Sequence, residues 1–236
     1  VDLRGWTVEQ RKKVRQHYAA LVKQIDEQIG EIFKALERTG ELDDTIIIFA
    51  SDHGDYLGDH DMAGKGTFYE ASSHVPMLVY LPWAEGGKVC DDLVCLSDVT
   101  ATTLAFAGIE RPPYFHSRPL PGLGVDTEPR SRIFGALDGV WCIFDGRYKL
   151  SKFDTGDVHF FDLQNDPREQ HNLAFNPDTA DIQADLDCDL TSRIMAGIRT
   201  ANGPHRVYYS DLSQQVDFGR EGWIRPFPRS ILEAYE

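Results

Sequence analysis

Basic residues are scarce in this chain. Its 236 residues carry 24 lysines and arginines against 38 aspartates and glutamates, a formal net charge of −14. That balance argues against a phosphate backbone or an anionic membrane as the main partner, while a local cationic site could still hold a small anion. Cysteine is also sparse: Cys90, Cys95, Cys142 and Cys188 show no CxxC spacing, and their density is too low for a disulfide scaffold, so buried free thiols are expected. No run approaches the roughly 18 apolar residues of a membrane span. No charged-then-apolar signal segment opens the sequence, which says little because it begins at Val1 rather than Met. Internal repeats and low-complexity segments are missing too. What remains, 42% hydrophobic and 26% charged residues, suits one or two folded domains.

Between Val8 and Arg38 the apolar residues Val14, Tyr18, Leu21, Val22, Ile25, Ile29, Ile32, Phe33 and Leu36 recur at three- and four-residue steps. This spacing predicts one long amphipathic helix, with Thr7 as N-cap and Gly40 just past its end. The run TIIIFA, Thr45 to Ala50, is β-branched and aromatic without alternation, the pattern of a strand covered on both faces. A second such run, VPMLVYL, follows about thirty residues later, and SDVTATTLAFAG reads as a capped helix ended by Gly108. Together they predict a layered α/β core with a parallel sheet. After a connection from Arg111 to Arg130 with five prolines, the segments RIFGALD, WCIFDGRYKLSKF and VHFFDL are short, aromatic and separated by Asp-Gly and Thr-Gly-Asp turns. They predict antiparallel hairpins in a smaller sheet. Helical spacing returns from Thr179 to Thr200. The last thirty residues are aromatic and broken by proline, and are expected to pack on another subunit. The divisions are 1–132 for the core part, 133–205 for the small sheet and helix, and 206–236 for a C-terminal extension.

The chemistry concentrates where TIIIFA runs into SDHGDYLGDHDMAGKGTFYE. In an open α/β sheet, ligands bind beyond the carboxyl ends of strands. Asp52 and His53 leave such an end together, a carboxylate and an imidazole able to ligate a metal, with Gly54 allowing a sharp turn. An isolated Asp-His is more often a turn cap beside a surface histidine. The tight cluster Asp55, Asp59, His60 and Asp61 favours self-capping loop structure over ligation. Lys65 lies between Gly64 and Gly66, where the backbone can approach a ligand and an ammonium can neutralise an oxyanion.

The pattern strand-SDHGDxLGDHxxxxKxxxYExSxxVPxxVxxP closely resembles the sulfatase family, within the alkaline phosphatase-like superfamily of arylsulfatases, choline sulfatases and phosphonate monoester hydrolases. The resemblance extends back into YAALVKQIDEQIGEIFKALERTGELDDT and forward through LSDVTATTLAFAGI to FFDLQNDPREQHNLA, roughly Val14 to Ala174. It implies the C-terminal part of an alkaline phosphatase-like sheet-and-helix core plus a small antiparallel sheet with a packed helix. By the same resemblance Asp52 and His53 match the metal-binding pair, Lys65 matches the lysine that contacts sulfate or phosphoryl oxygens, and Asp59, His60, Tyr69 and Glu70 match structural positions. The implied cofactors are a divalent metal ion, Ca²⁺ or Mn²⁺ with Mg²⁺ or Zn²⁺ as alternatives, and a formylglycine. His53 stands where many sulfatases have Asn, and imidazole suits Mn, Zn or Fe better than hard Ca²⁺. His74 stands where the family usually has Arg, and Ala101 where a proline often follows the Asp98 region.

The formylglycine precursor motif, C/S-x-P-S-R, begins at none of the four cysteines, which read CDDLV, CLSDV, CIFDG and CDLTS. The family's early Asp-Asp metal pair is not seen either. The expectation is therefore the C-terminal half of a sulfatase-like protein, with the nucleophile in the other half and no activity in this chain alone. Two readings of different class follow. One is a metal-dependent sulfuric ester hydrolase, or a phosphate or phosphonate ester hydrolase of the same superfamily, acting on a small ester and forming a homo-oligomer. The other is a noncatalytic assembly module that keeps the fold. Joint retention of Asp52, His53 and Lys65 favours the hydrolase.

Overall fold

The computed structural model describes residues 1–112 and 115–202, and the chain divides into two units, Val1–Thr179 and Ala180–Glu236. The first unit opens with the long helix α1, Val8–Thr39. Its ends are set as the sequence predicts. The Thr7 hydroxyl accepts the Gln10 amide, the Gln10 side chain accepts the Thr7 amide in return, and Gly40 closes the helix at φ 74°. This reciprocal box satisfies two of the orphan amides at the start, and left-handed glycine satisfies carbonyls at the end.

Strand β1, Ile47–Ala50, pairs with β2, Met77–Tyr80. The pairing is antiparallel, Ile47 opposite Tyr80 and Ala50 opposite Met77, which corrects the expectation of a parallel sheet. A parallel return needs a crossover of a dozen or more residues, usually a helix. The segment between these strands instead builds a one-turn 3-10 helix, Asp59–Asp61, and the four-residue helix α2, Glu70–Ser73. Neither is long enough to carry the chain back along the strand. The expected double-sided cover of TIIIFA is also corrected: no residue of β1 is buried, Phe49 is exposed, and on β2 so are Leu78 and Tyr80. The apolar stripe of α1 is open as well. None of its side chains is buried, and Tyr18, Leu21, Val22, Ile25 and Ile32 face solvent.

The helix α3, Ser97–Phe106, is anchored through Asp98. This carboxylate is 1% exposed. It accepts the Cys95 and Arg118 amides and pairs with Arg130 at 2.9 Å, while the Thr102 hydroxyl accepts the Leu120 amide. These bonds strap the proline-rich connection to α3.

The hairpins form as the sequence predicts. Strands β3 Ile133–Leu137, β4 Val140–Phe144, β5 Tyr148–Phe153 and β6 Val158–Asp162 make a four-stranded antiparallel sheet in sequential order. At the β4–β5 turn Asp145 accepts the amides of Arg147 and Tyr148, the local capping that makes Asp-Gly a turn signal. The best-packed core lies here, with Val140, Ile143, Leu150 and Phe160 almost fully buried. The whole is a mixed α/β fold. Of the four free cysteines only Cys142 is buried, while Cys95 is half-buried and Cys90 and Cys188 are exposed, so the expectation of buried thiols holds for one of them. In the second unit the expected helix is α4, Ala180–Asn202. The expected C-terminal extension lies outside the described residues.

Candidate active site

Strand β1 delivers Asp52 and His53 just past its carboxyl end, and the loop that follows returns Lys65 to them. The His53 Nδ1 lies 2.8 Å from the Gly54 carbonyl oxygen. A carbonyl can only accept, so Nδ1 carries the proton and the Nε2 lone pair is directed elsewhere. Lys65 Nζ meets that lone pair at 2.5 Å, and Asp52 Oδ2 lies 3.2 Å from the same nitrogen. The other Asp52 oxygen accepts the His53 amide at 2.9 Å. A carboxylate oxygen and an imidazole lone pair thus converge on one point, with an ammonium beside them. The Asp52 side chain is 82% exposed and that of His53 36%, so this point is open to a solute.

The glycine after His53 is required by a close backbone approach. Its amide donates to the Ser72 carbonyl at 2.8 Å, and a Cβ at this position would overlap the Ala71 carbonyl oxygen. The start of α2 is therefore seated directly on the turn that carries the Asp-His pair.

The acidic cluster beyond builds the loop, as its spacing suggests. Asp55 accepts the amides of Leu57 and Gly64 at 2.9 and 3.0 Å. The Tyr56 hydroxyl lies 2.7 Å from the Thr67 hydroxyl and accepts the Thr67 amide. Arg11 pairs with Asp61 at 2.8 Å and Arg15 donates to the Leu57 carbonyl, so the polar face of α1 holds the loop from outside. Leu57, His60 and Asp61 all have left-handed backbone, at φ 49°, 52° and 57°. The His60 ring stacks on Tyr69 at 3.8 Å. Burial pushes the Tyr69 hydroxyl above its ordinary pKa, with the Glu169 charge adding to the effect.

Two charged residues of the site's surroundings were not legible in the sequence. Lys149 on β5 is 5% exposed at its side chain and sits 2.7 Å from both Glu70 Oε1 and Glu169 Oε1. The Glu169 oxygen takes the ammonium as an ion-pair partner without an aligned hydrogen bond. The other Glu169 oxygen accepts the Glu70 amide at 2.7 Å. Burial raises the Glu169 pKa, while Lys149 and the Glu70 amide act against that rise. Nearby on β6, burial lowers the pKa of His159, whose ring lies among Tyr69, Phe153 and Phe161. The one available signal was a lysine set between Tyr148 and Leu150 in a strand, YKLSKF, that also carries Ser151 and Lys152.

A cavity of about 440 Å³ lies between Asp92–Val94 and the proline-rich connection. It shares no residue with the Asp52–His53–Lys65 cluster, and its guanidinium, from Arg130, is engaged by Asp98. The chemistry therefore points to the strand end rather than to this larger space.

Residues 4–109 match the family model for sulfatases. These residues are similar to the sulfatase family. The matched segment contains α1, the strand end with Asp52 and His53, the Lys65 loop and α3. The arylsulfatase of Clostridium perfringens is 34% identical over 173 residues, covering 69% of this chain and 36% of that protein. The choline-sulfatase of Rhizobium meliloti is 36% identical over 180 residues, covering 72% of this chain and 35% of its own. The chain thus spans about a third of the length of these relatives. Among solved structures, the phosphonate monoester hydrolase of Silicibacter pomeroyi superposes with a TM-score of 0.71 at 29% identity, over 83% of this chain and 42% of the other. The fold is that of sulfatases and their alkaline phosphatase-like neighbours.

Proposed function

We propose that this chain supplies part of the active site of a metal-dependent sulfuric ester hydrolase. The observation that carries the reading is the convergence of Asp52, His53 and Lys65 at the end of β1, supported by the sulfatase match over the same residues. The donor set fits one side of a metal centre. Asp52 offers a carboxylate, and His53 offers Nε2 while Nδ1–H is fixed by the Gly54 carbonyl, the outer hydrogen bond usual for ligating histidines. Among the described residues no group of three or more His, Cys, Asp or Glu forms a closed metal site, so further donors have to come from elsewhere in the assembled protein. A bound divalent metal would polarise the ester oxygens.

The residues of this chain have separable tasks. Asp52 and His53 would hold the metal from one side, and they stay in place because Gly54 is bonded to α2. Lys65, whose ammonium lies beside His53 Nε2, would set its charge against the oxyanion that develops as the ester bond breaks. The nucleophile, a formylglycine in this reading, is contributed by residues other than those described above.

A phosphonate or phosphate ester is the second reading, favoured by the overlap with the phosphonate monoester hydrolase. The full-length gene product, loaded in turn with Mn²⁺, Ca²⁺, Mg²⁺ and Zn²⁺, is assayed with an aryl sulfate, an aryl phosphonate monoester and a phosphate diester. Faster aryl sulfate turnover supports the first reading and faster phosphonate or diester turnover the second. Turnover of none of them with any metal refutes both.

A further inference from the structure

We infer that Lys149, with Glu169, is a positioning device by which the small antiparallel sheet sets the place of the Asp52–His53 pair. The inference rests on the hydrolase reading of that pair for its catalytic meaning, and on geometry for the coupling itself.

The coupling is a continuous series of short contacts. Helix α2 has four residues, too few to hold itself together, because a helical turn costs more to nucleate than one turn returns. Its first residue is held twice from outside: Lys149 grips the Glu70 carboxylate at 2.7 Å, and Glu169 accepts the Glu70 amide at 2.7 Å. Both anchors are almost fully buried, and Glu169 adopts left-handed backbone at φ 55° to reach its place. Two residues further along α2, the Ser72 carbonyl accepts the Gly54 amide. There the two backbones are so close that no Cβ fits. Gly54 in turn fixes the ring of His53 through Nδ1. A second contact runs in parallel: Phe68 lies on Gly135 of β3, leaving no space for a Cβ. A shift of α2 is thus passed to the metal-side pair without slack.

The charges explain why the pair of anchors is needed. Glu70 and Glu169 are two carboxylates converging on one ammonium. Without Lys149 the buried Glu169 carboxylate is left uncompensated beside that of Glu70, which is 28% exposed and also meets His74 at 2.7 Å, and the Glu70 end of α2 is pushed from its seat.

The test compares the full-length gene product with Lys149→Met, with Lys149→Met/Glu169→Gln, and with Ile143→Ala, which removes a buried side chain from the same sheet opposite Leu150 and leaves the charged groups in place. Amide exchange of the peptide 52–66 is read alongside kcat and KM for the aryl sulfate and the phosphonate ester. Lys149→Met should raise exchange in 52–66 about tenfold more than Ile143→Ala does, and lower kcat about 10- to 100-fold, the loss expected for a misplacement near 1 Å. The double variant should recover much of both losses, because it removes the repulsion and keeps an acceptor for the Glu70 amide. Equal exchange in Lys149→Met and Ile143→Ala, or no recovery in the double variant, overturns the inference. Selective exchange in a protein that hydrolyses neither ester supports the positioning and refutes the hydrolase reading instead.

Discussion

Replacing Gly54 by alanine adds one methyl group at the point where α2 sits on the Asp-His turn. The new Cβ would overlap the Ala71 carbonyl oxygen and lie 3.0 Å from its carbon. Restoring an ordinary carbon–oxygen separation requires the two backbones to part by roughly 1 Å. That movement stretches the Gly54–Ser72 hydrogen bond, now 2.8 Å, beyond useful length. Overpacking of this kind costs about 1–3 kcal/mol, and the lost bond about 1 kcal/mol more. Because Gly54 also fixes His53 Nδ1, the displacement reaches the reacting side, where 1 Å is worth about a hundredfold in turnover. Gly54→Ala is therefore expected to lower the urea midpoint measurably and kcat by about two orders of magnitude, with Gly86→Ala as the control, whose Cβ meets no neighbour and whose backbone is not left-handed. Unfolding curves and ester hydrolysis on the full-length product check both effects. Unchanged midpoint and unchanged kcat in Gly54→Ala would refute the reasoning from close approach.

Three further outcomes follow from the geometry. In the full-length product Asp52→Ala should lose metal and hydrolysis together, whereas Lys65→Ala should keep its metal and lose about a hundredfold in turnover; metal analysis beside the rate assay separates them. Arg147 holds the Asp162 carboxyl down to about 2 from 3.8. The folded state therefore gains stability from Asp162 that is fully present above pH 3.8 and lost as pH falls from 3.8 toward 2, about 1–2 kcal/mol after allowing for the partly exposed guanidinium; Arg147→Met should flatten the decline in urea midpoint between pH 4.5 and pH 2.5. Burial pushes the Cys142 thiol up to about 11, so at pH 8 a thiol reagent should label the exposed Cys90 and Cys188 at once and Cys142 only after denaturant is added.

The parts legible in the sequence are those governed by local rules. Thr7 and Gly40 bound α1 because caps act within a few residues, and Asp145 marks the β4–β5 turn because its carboxylate reaches only nearby amides. The meeting of Asp52, His53 and Lys65 was expected from the resemblance to the sulfatase family rather than from any spacing rule. Strand direction was not legible. The run TIIIFA has the same composition in either pairing, and what decides it is the shortness of α2, a four-residue helix that no periodicity reveals. Burial of β1 was misread for a related reason: an apolar run states that cover is wanted, not that this chain provides it. The Lys149–Glu70–Glu169 cluster joins residues 79 and 99 positions apart, and no spacing rule spans such separations.

The left-handed backbone at Leu57, His60 and Asp61 has a consequence for anyone screening this loop by random substitution. At these positions a side chain is filtered first by whether its residue tolerates that twist of the main chain, so asparagine and glycine should pass while valine, isoleucine and threonine fail. A library would then show His60 and Asp61 as intolerant beside a candidate catalytic centre. The intolerance would report the shape of the peptide together with the His60–Tyr69 stack and the Arg11–Asp61 pair, and a histidine that resists replacement there is not by that fact one of the groups that perform the chemistry.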